Sequence, residues 1–467
     1  MNSARADQIA EGGGAALAPS NMTRALGDFI AGLKVEDVPA EVLDRAALSI
    51  IDLVAGSIPG VQTPSAHSML SAARVLFGGG SAPVWFTPER LTPGGAQLVN
   101  STSAFCLDLD DGHRGASGHC GSAVIPAVLT YAVDHAIDGR RLLAAVAIGY
   151  ELAIRISMAR RAEKITNRTS GRWAGYGTAA AIGWLRGLSG EEMAEAIAIC
   201  GVELPYNLPD AARKTFSMVK GSIPWSGLAG TVAVERARAG GNGPLELLDR
   251  PDIYVAERFL DGLGRDWKIM GTYLKPYGCC RYCQAAIDAV AALTKGRPLS
   301  AEEAKGVSFT VEAFPAALRL PNELRPSNLE LAQFSLPFCV ALAALRGTAA
   351  FLPIVDESLH DEEVLALATR VKLVLSEEFK DAFPKLTPAR VIMHGRGGDA
   401  AETVLHPFGD VDNPMGRSDV EKKLRDLAEG RLRSADVEAI IAGVDALSAG
   451  GSPAGLLEVL TRPLAIR

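Results

Sequence analysis

A mainly α fold is predicted, with a large helical domain drawn from both ends of the chain and a smaller α+β domain set between them. Three observations predict it. Apolar residues recur at helical spacing from Asn21 to about Gly240, the pattern changes to period two after Gly271, and a helical period returns after residue 408. A chain of 467 residues, 48% of them hydrophobic, is long enough to hold two such domains.

Residues 1–20 carry acidic side chains and glycines where a signal peptide needs an unbroken apolar core, so they read as a loose tail. The first part of the helical domain, 21–270, follows. In "PAEVLDRAALSIIDLVAGS", Val42, Ala46, Ile50, Leu53 and Val54 share one face, with Pro39 at the start and Gly56 at the end. Further helices are expected at Gly95 to Cys106, Ser122 to Ala136, Leu142 to Ala159, Tyr176 to Arg186 and Glu191 to Cys200, and another starting near Pro224. Small residues recur in them (Ala144, Ala145, Gly149; Ala179 to Ala181, Gly183), so their axes can approach closely. The glycine runs at Gly12 and Gly78 lack the strand-then-helix setting of a phosphate loop and read as loops. In the α+β domain, 271–408, "GVSFTVEAF" and "RVKLVLSEEF" alternate as strands, and "ARVIMHGRGGDAAETVLH" reads as a hairpin turning at Gly395 to Asp399. Residues 409–467 supply two more helices, each with a Ser-Asp or Ser-Ala-Asp cap, which rejoin the helical body.

Charge and composition exclude several classes. Charged residues make up 22% with a net charge of −7 and both signs interspersed, which leaves no basic face for nucleic acid and no polybasic run for anionic lipid. The longest apolar stretch, "LLAAVAIGYELAI" from Leu142, is interrupted by Glu151 and too short to span a bilayer. A cytoplasmic protein with a small-molecule partner is expected. Seven cysteines, an odd number, do not form a secreted disulfide framework and read as reduced thiols.

Three clusters carry chemistry. "LDLDDGHRGASGHCGSAVIPA" gathers Asp108, Asp110, Asp111, His113 and His119 in a glycine-rich connection. A carboxylate that holds one imidazole nitrogen prepares the other as an acid or base, and an Asp/His metal site is the alternative. In "FSMVKGSIPWSG", Lys220 next to a helix start is a plausible base, the plain alternative being a surface lysine. In "YLKPYGCCRYCQAAIDAV", Cys279, Cys280 and Cys283 could hold an iron–sulfur cluster or zinc, but no second Cys/His pair follows at regular spacing. Lys275 and Arg281 are the more productive residues, a point charge and a bidentate fork suited to a polycarboxylate.

In this order, "LDLDDGH...GHCGSAVIPA", "WAGYGTAAAIGWLRGLS", "VKGSIPWSG", "KPYGCCRYCQAAIDA" and "LAQFSLPFCVALAALRGT" resemble the MmgE/PrpD family, whose members include 2-methylcitrate dehydratase, cis-aconitate decarboxylase and iminodisuccinate epimerase. The resemblance implies a helical domain with an α+β lid, a homodimer, and an active site at the domain junction without an organic cofactor; from the ligand spacing no metal is expected either. Carried over, it places Asp108, His119, Lys220 and Lys275 in the pocket, with Arg281 close by; the first four are read as catalytic, and Arg281, Arg168, His113 and Tyr277 as the expected substrate-binding set. Gly112 stands where the family commonly has Thr, Arg168 and Cys280 where members have His, and Phe338 where they have Tyr.

The shared chemistry is removal of a proton next to a carboxylate, with a cation taking up the developing charge. His119 and Lys220, on opposite faces of one carbon and with Asp108 orienting His119, suit an iminodisuccinate-type epimerase. A dehydratase-like or decarboxylase-like lyase is the alternative, and an inert binding dimer the second. Against inertness, buried charges cost free energy to desolvate and serve no purpose in an inactive relative.

Overall fold

The computed structural model describes residues 22–205, 216–395 and 398–465. The expected tail, 1–20, and the glycine run at Gly12 lie outside the described residues, as do positions 396–397 of the hairpin turn. The fold is mainly α with a small α+β part.

The expected helices form at Ala40–Gly60, Pro93–Phe105, Gly121–Asp134, Gly139–Ala159, Ala174–Arg186, Gly190–Glu203 and Ile223–Arg238. Met22–Gly32 and Pro64–Phe77 join them. Gly149 and Gly177 show why small residues recur: a Cβ on Gly149 would lie 2.9 Å from the Gly177 carbonyl oxygen, and one on Gly177 would lie 2.5 Å from that of Gly149. Only glycine allows the helices Gly139–Ala159 and Ala174–Arg186 to cross this closely.

Helix Gly139–Ala159 corrects an expectation. By length and composition its 21 residues could cross a membrane, but 94% of its most apolar window is buried inside the protein. Glu151, read as an interruption, is paired in the core with Arg155 (Nε to Oε1, 2.8 Å) and accepts from the Lys268 amide at 2.6 Å. The glycine run that starts at Gly78 departs from a loop reading after its first residue, because Gly79–Pro83 pairs as a short strand with Arg90–Leu91.

The C-terminal helices Arg417–Ala428, Ser434–Ser448 and Ala454–Leu460 pack into the same core as the N-terminal helices. Their serines do not cap them. Asp419 accepts from the Gly416 amide at 2.9 Å, and Arg433 precedes the second helix. Phe86 and the chain end are zipped together, the Phe86 amide donating to Leu460 at 2.8 Å and the Leu464 amide to Phe86 at 3.1 Å.

A second core runs from Tyr277 to Val391. Its sheet has the order 371–375, 308–313, 389–394, 400–404. Ser308–Ala313 pairs parallel with Val371–Leu375 (Phe309 opposite Val371) and antiparallel with Ala389–His394 (Val311 opposite Val391). Its side chains alternate between buried and half-buried, which is the period-two pattern read from the sequence. Helices Arg281–Leu293 and Leu336–Arg346 complete this lid. The change of core falls between Leu274 and Tyr277, inside the cysteine-rich stretch.

Candidate active site

The connection between helices Pro93–Phe105 and Gly121–Asp134 is pinned from three sides. Leu109 is buried in the core, and its carbonyl accepts from Lys423 of the C-terminal helix at 2.8 Å, while Lys423 also pairs with Asp52 at 2.7 Å. Gly112–His113 pairs antiparallel with Thr272–Tyr273, which ties the loop to the entry of the lid. Asp108 takes a left-handed conformation, φ 56°, that side chains rarely adopt. That turn aims its carboxylate at two lysines.

Lys220 Nζ lies 3.3 Å from Asp108 Oδ1, and Lys275 Nζ lies 3.1 Å from Oδ2 and 3.0 Å from the Asp108 carbonyl oxygen. Burial pushes the Asp108 carboxyl up, but the two ammonium groups outweigh it and hold the acid ionised, well below the usual carboxylate range. Lys275 is likewise pushed down by burial and raised overall by Asp108 and Asp110. Lys220 also donates to Gln333 Oε1 at 2.6 Å and lies over the Phe105 ring at 4.9 Å.

His119 is oriented differently from the expectation. Its Nδ1 is 2.6 Å from the backbone carbonyl oxygen of Asp111 and 3.8 Å from Asp110 Oδ2, whereas Asp108 is held by the lysines. A carbonyl oxygen only accepts, so Nδ1 carries the proton and Nε2 keeps a basic lone pair. Burial and the Lys275 charge push the imidazolium down against Asp110 and Asp108, so the ring is neutral at neutral pH. The His119 amide donates to Ser170 Oγ at 2.8 Å, which fixes the backbone beneath it.

These groups face a cavity of about 850 Å³ between the helical body and the lid. Its wall includes Asp108, His113, His119, Arg168 and Lys220 from the body, and Cys280, Arg281, Arg319 and Phe334 from the lid. Among the described residues, five cations, Arg114, Arg168, Lys220, Arg281 and Arg319, meet one carboxylate there. Such a volume suits a small ligand, and such a charge balance suits an anion.

Four sequence-derived residues sit elsewhere or are engaged. Lys275 is fully buried behind Asp108 and is absent from the cavity wall. Tyr277 donates to Asp288 at 2.7 Å in the lid core, also away from the cavity. Arg281 reaches the wall, but its fork is occupied: Nη2 bonds Asp410 at 2.7 Å and the Pro407 carbonyl at 3.2 Å, and Nη1 bonds Gln284 at 2.7 Å. His113 lines the cavity but accepts from the Ala116 amide at Nδ1, 3.1 Å, and is pushed down to about 4 by burial and the charges of Lys268 and Arg114. Sequence reasoning missed Gln333, which lies in a quoted motif, and Arg319, which no pattern marks.

Asp108, Asp110 and His119 bring donor atoms within 4.8 Å of one another. The ligand types suit zinc, manganese or iron. They do not fit a metal here, because an ammonium group engages each Asp108 oxygen and would repel a divalent ion. No metal-capable group among the described residues contains a cysteine, and all seven cysteines are free and buried. Burial pushes the Cys280 thiol up to about 12, so it is not a nucleophile.

Two family models match the chain, the MmgE/PrpD N-terminal domain over residues 24–263 and the MmgE/PrpD C-terminal domain over 277–448. Among curated proteins, the cis-aconitate decarboxylase of Aspergillus terreus is 26% identical across 96% of this chain and 97% of its own. A cis-aconitate decarboxylase-like protein of Aspergillus oryzae is 23% identical across 95% of this chain and 98% of its own. The cis-aconitate decarboxylase of Homo sapiens is 27% identical over 49% of this chain and 48% of its own.

Proposed function

Because the chain belongs to the MmgE/PrpD family, we propose that it is a lyase acting on a small di- or tricarboxylic acid through its own side chains, with decarboxylation of a cis-aconitate-like substrate its nearest reaction. The observation that carries this reading is the pairing at one cavity of a neutral imidazole, its Nε2 basic, with an ammonium group held by Asp108 and Gln333. In decarboxylation the C–C bond to one carboxylate breaks, CO2 departs, and the electron pair left on the carbon skeleton takes up a proton. Lys220 is positioned to give that proton. In dehydration His119 would take the proton next to the carboxylate and Lys220 would protonate the departing hydroxyl. The cationic wall stabilises the remaining carboxylates and the charge that develops on them.

The near full-length relatives named as decarboxylases favour the lyase over the epimerase to which the residue set alone points. The epimerase stays as a second reading on one observation. Arg168 and Cys280 on the cavity wall leave the site with few acid/base groups beyond His119 and Lys220, and an epimerase needs only two.

Incubation with cis-aconitate, 2-methylcitrate and iminodisuccinate in D2O separates the readings. CO2 release or water loss is expected. Deuterium wash-in on iminodisuccinate with neither would shift the assignment to an epimerase, and silence on all three would end the reading. The proposed macromolecular partner is a second copy of the chain: Trp225 and Val232, seven residues apart on helix Ile223–Arg238, are exposed and give it an apolar surface to cover. A monomer by light scattering would remove that proposal.

A further inference from the structure

The cations of the cavity wall differ in what neutralises them. Lys220 is paired with Asp108, Arg281 with Asp410, and Arg114 with Asp410 at 3.3 Å and Asp412 at 3.4 Å. Arg319 is exposed, and its guanidinium makes no hydrogen bond or ion pair with any described residue. Its backbone is nonetheless fixed. Strand Ser308–Ala313 leads into the short helix Pro315–Leu318, which Arg319 terminates. Asn322, left-handed at φ 49°, folds back beneath it: the side-chain amide donates to Ala317 at 3.1 Å and Leu318 at 3.4 Å, and Oδ1 accepts from the Leu336 amide at 3.0 Å. A guanidinium on a pinned turn at the cavity wall, with no partner among the described residues, is arranged to meet a charge that arrives from outside.

We infer that Arg319 is the lid's carboxylate clamp, taking a substrate carboxylate remote from the carbon at which His119 and Lys220 act. His119 and Lys220 belong to the helical body, whereas Arg319 belongs to the lid, and Phe105, Phe216, Phe334 and Leu320 add apolar wall to the same cavity. An acid that engages both sides carries a charge at each end of a short carbon chain. Arg319 thereby selects di- and tricarboxylates over monocarboxylates, an inference that rests on the anionic substrate class proposed above.

The test uses the full chain and titrates succinate and butyrate calorimetrically into wild type, Arg319→Ala and Arg319→Lys. Loss of a charge-assisted pair is expected to weaken succinate binding about tenfold or more in Arg319→Ala. Lysine should restore part of it, lacking the fork. Butyrate, weak throughout, is expected to be unchanged. With the turned-over acid, KM should rise by a similar factor while kcat stays within about threefold, a split that a structural role would not produce. Equal succinate affinity in wild type and Arg319→Ala overturns the clamp, as does a loss shared by both acids. If wild type binds neither succinate nor any substrate acid, the polycarboxylate reading of the whole site falls instead.

Discussion

Lys275 lies fully buried with its ammonium 3.1 Å from Asp108, on the side of that carboxylate away from the cavity, while Lys220 approaches the other oxygen from the wall. Two lysines on one carboxylate therefore have different tasks. Lys220 can touch a substrate; Lys275 sets the field beneath the site. Lys275→Met should cost about 3–5 kcal/mol of stability, the range for breaking a buried pair, because Asp108 is left with less compensation in a dry setting. It should also raise the pKa of His119, since the Lys275 charge is among the causes that hold it down. Denaturant unfolding reads the first effect. A shift of the acid limb of the pH–rate profile to higher pH reads the second, and a variant that loses stability without that shift would contradict the assigned role.

The wild-type profile follows from the same shift. In the dehydration, His119 works as a base only when neutral, and its pKa lies below the ordinary histidine value. Activity should therefore hold as pH falls through neutrality and drop only below about 6.5. His119→Gln should lower the rate by roughly 10²–10⁴, the usual contribution of one general base, with little change in unfolding midpoint. A rate that survives the substitution would remove His119 from the chemistry.

The helices were legible because their apolar faces repeat within a few residues, and Asp108, His119 and Lys220 because their motifs are local. The destinations of long side chains were not. Arg281 looks free in "CCRYC", yet Asp410, 129 residues onward, takes its fork. Nothing in "YLKPYG" tells which way Lys275 points, and the Gln333 amide that clamps Lys220 is set by a lid helix 113 residues away. Such outcomes depend on long-range packing, which local periodicity does not encode. The tautomer of His119 was equally hidden, because a backbone carbonyl rather than a carboxylate decides it.

Asp111 gives stability an alkaline-side dependence. Burial pushes its carboxyl up to about 7, with the Tyr150 hydroxyl opposing and Asp52 and Asp110 adding. The native state then holds a proton that the unfolded chain has released, so this contribution is present below about 4 and is lost as pH rises through about 7. The loss is on the order of 1.4 kcal/mol for each unit crossed. Asp111→Asn keeps the carbonyl that orients His119 and removes the titration. Urea midpoints measured at pH 5 and pH 8 should fall in wild type more than in the variant, and parallel changes would refute the assignment.

Lys423 links the end of the chain to the site. Its ammonium is buried between Asp52, 2.7 Å away, and the carbonyl of Leu109, next to Asp108. Lys423→Met alone should destabilise the protein by about 3–5 kcal/mol, because Asp52, already pushed up by burial, loses the cation that opposes that push. Adding Asp52→Asn should return much of that loss, and a double variant as unstable as the sum of its parts would show that the pair is not coupled.

Gly112 is held to a glycine by Tyr273. The two residues are strand partners, and a Cβ on Gly112 would lie 2.4 Å from the Tyr273 hydroxyl oxygen and 2.6 Å from Cζ. The ring cannot retreat freely, since it is buried and covered by the Arg281 guanidinium at 4.7 Å. Gly112→Ala should therefore cost about 1–3 kcal/mol as an overpacked site. The ring bears on both the cavity wall and the loop holding Asp108, so the same change should also lower the rate. Tyr273→Val removes the colliding atoms and puts another good strand former in their place. In that background the further cost of Gly112→Ala should shrink to a few tenths of a kcal/mol, measured as a double-mutant cycle. An undiminished penalty would mean that Gly112 serves its backbone rather than the neighbouring ring.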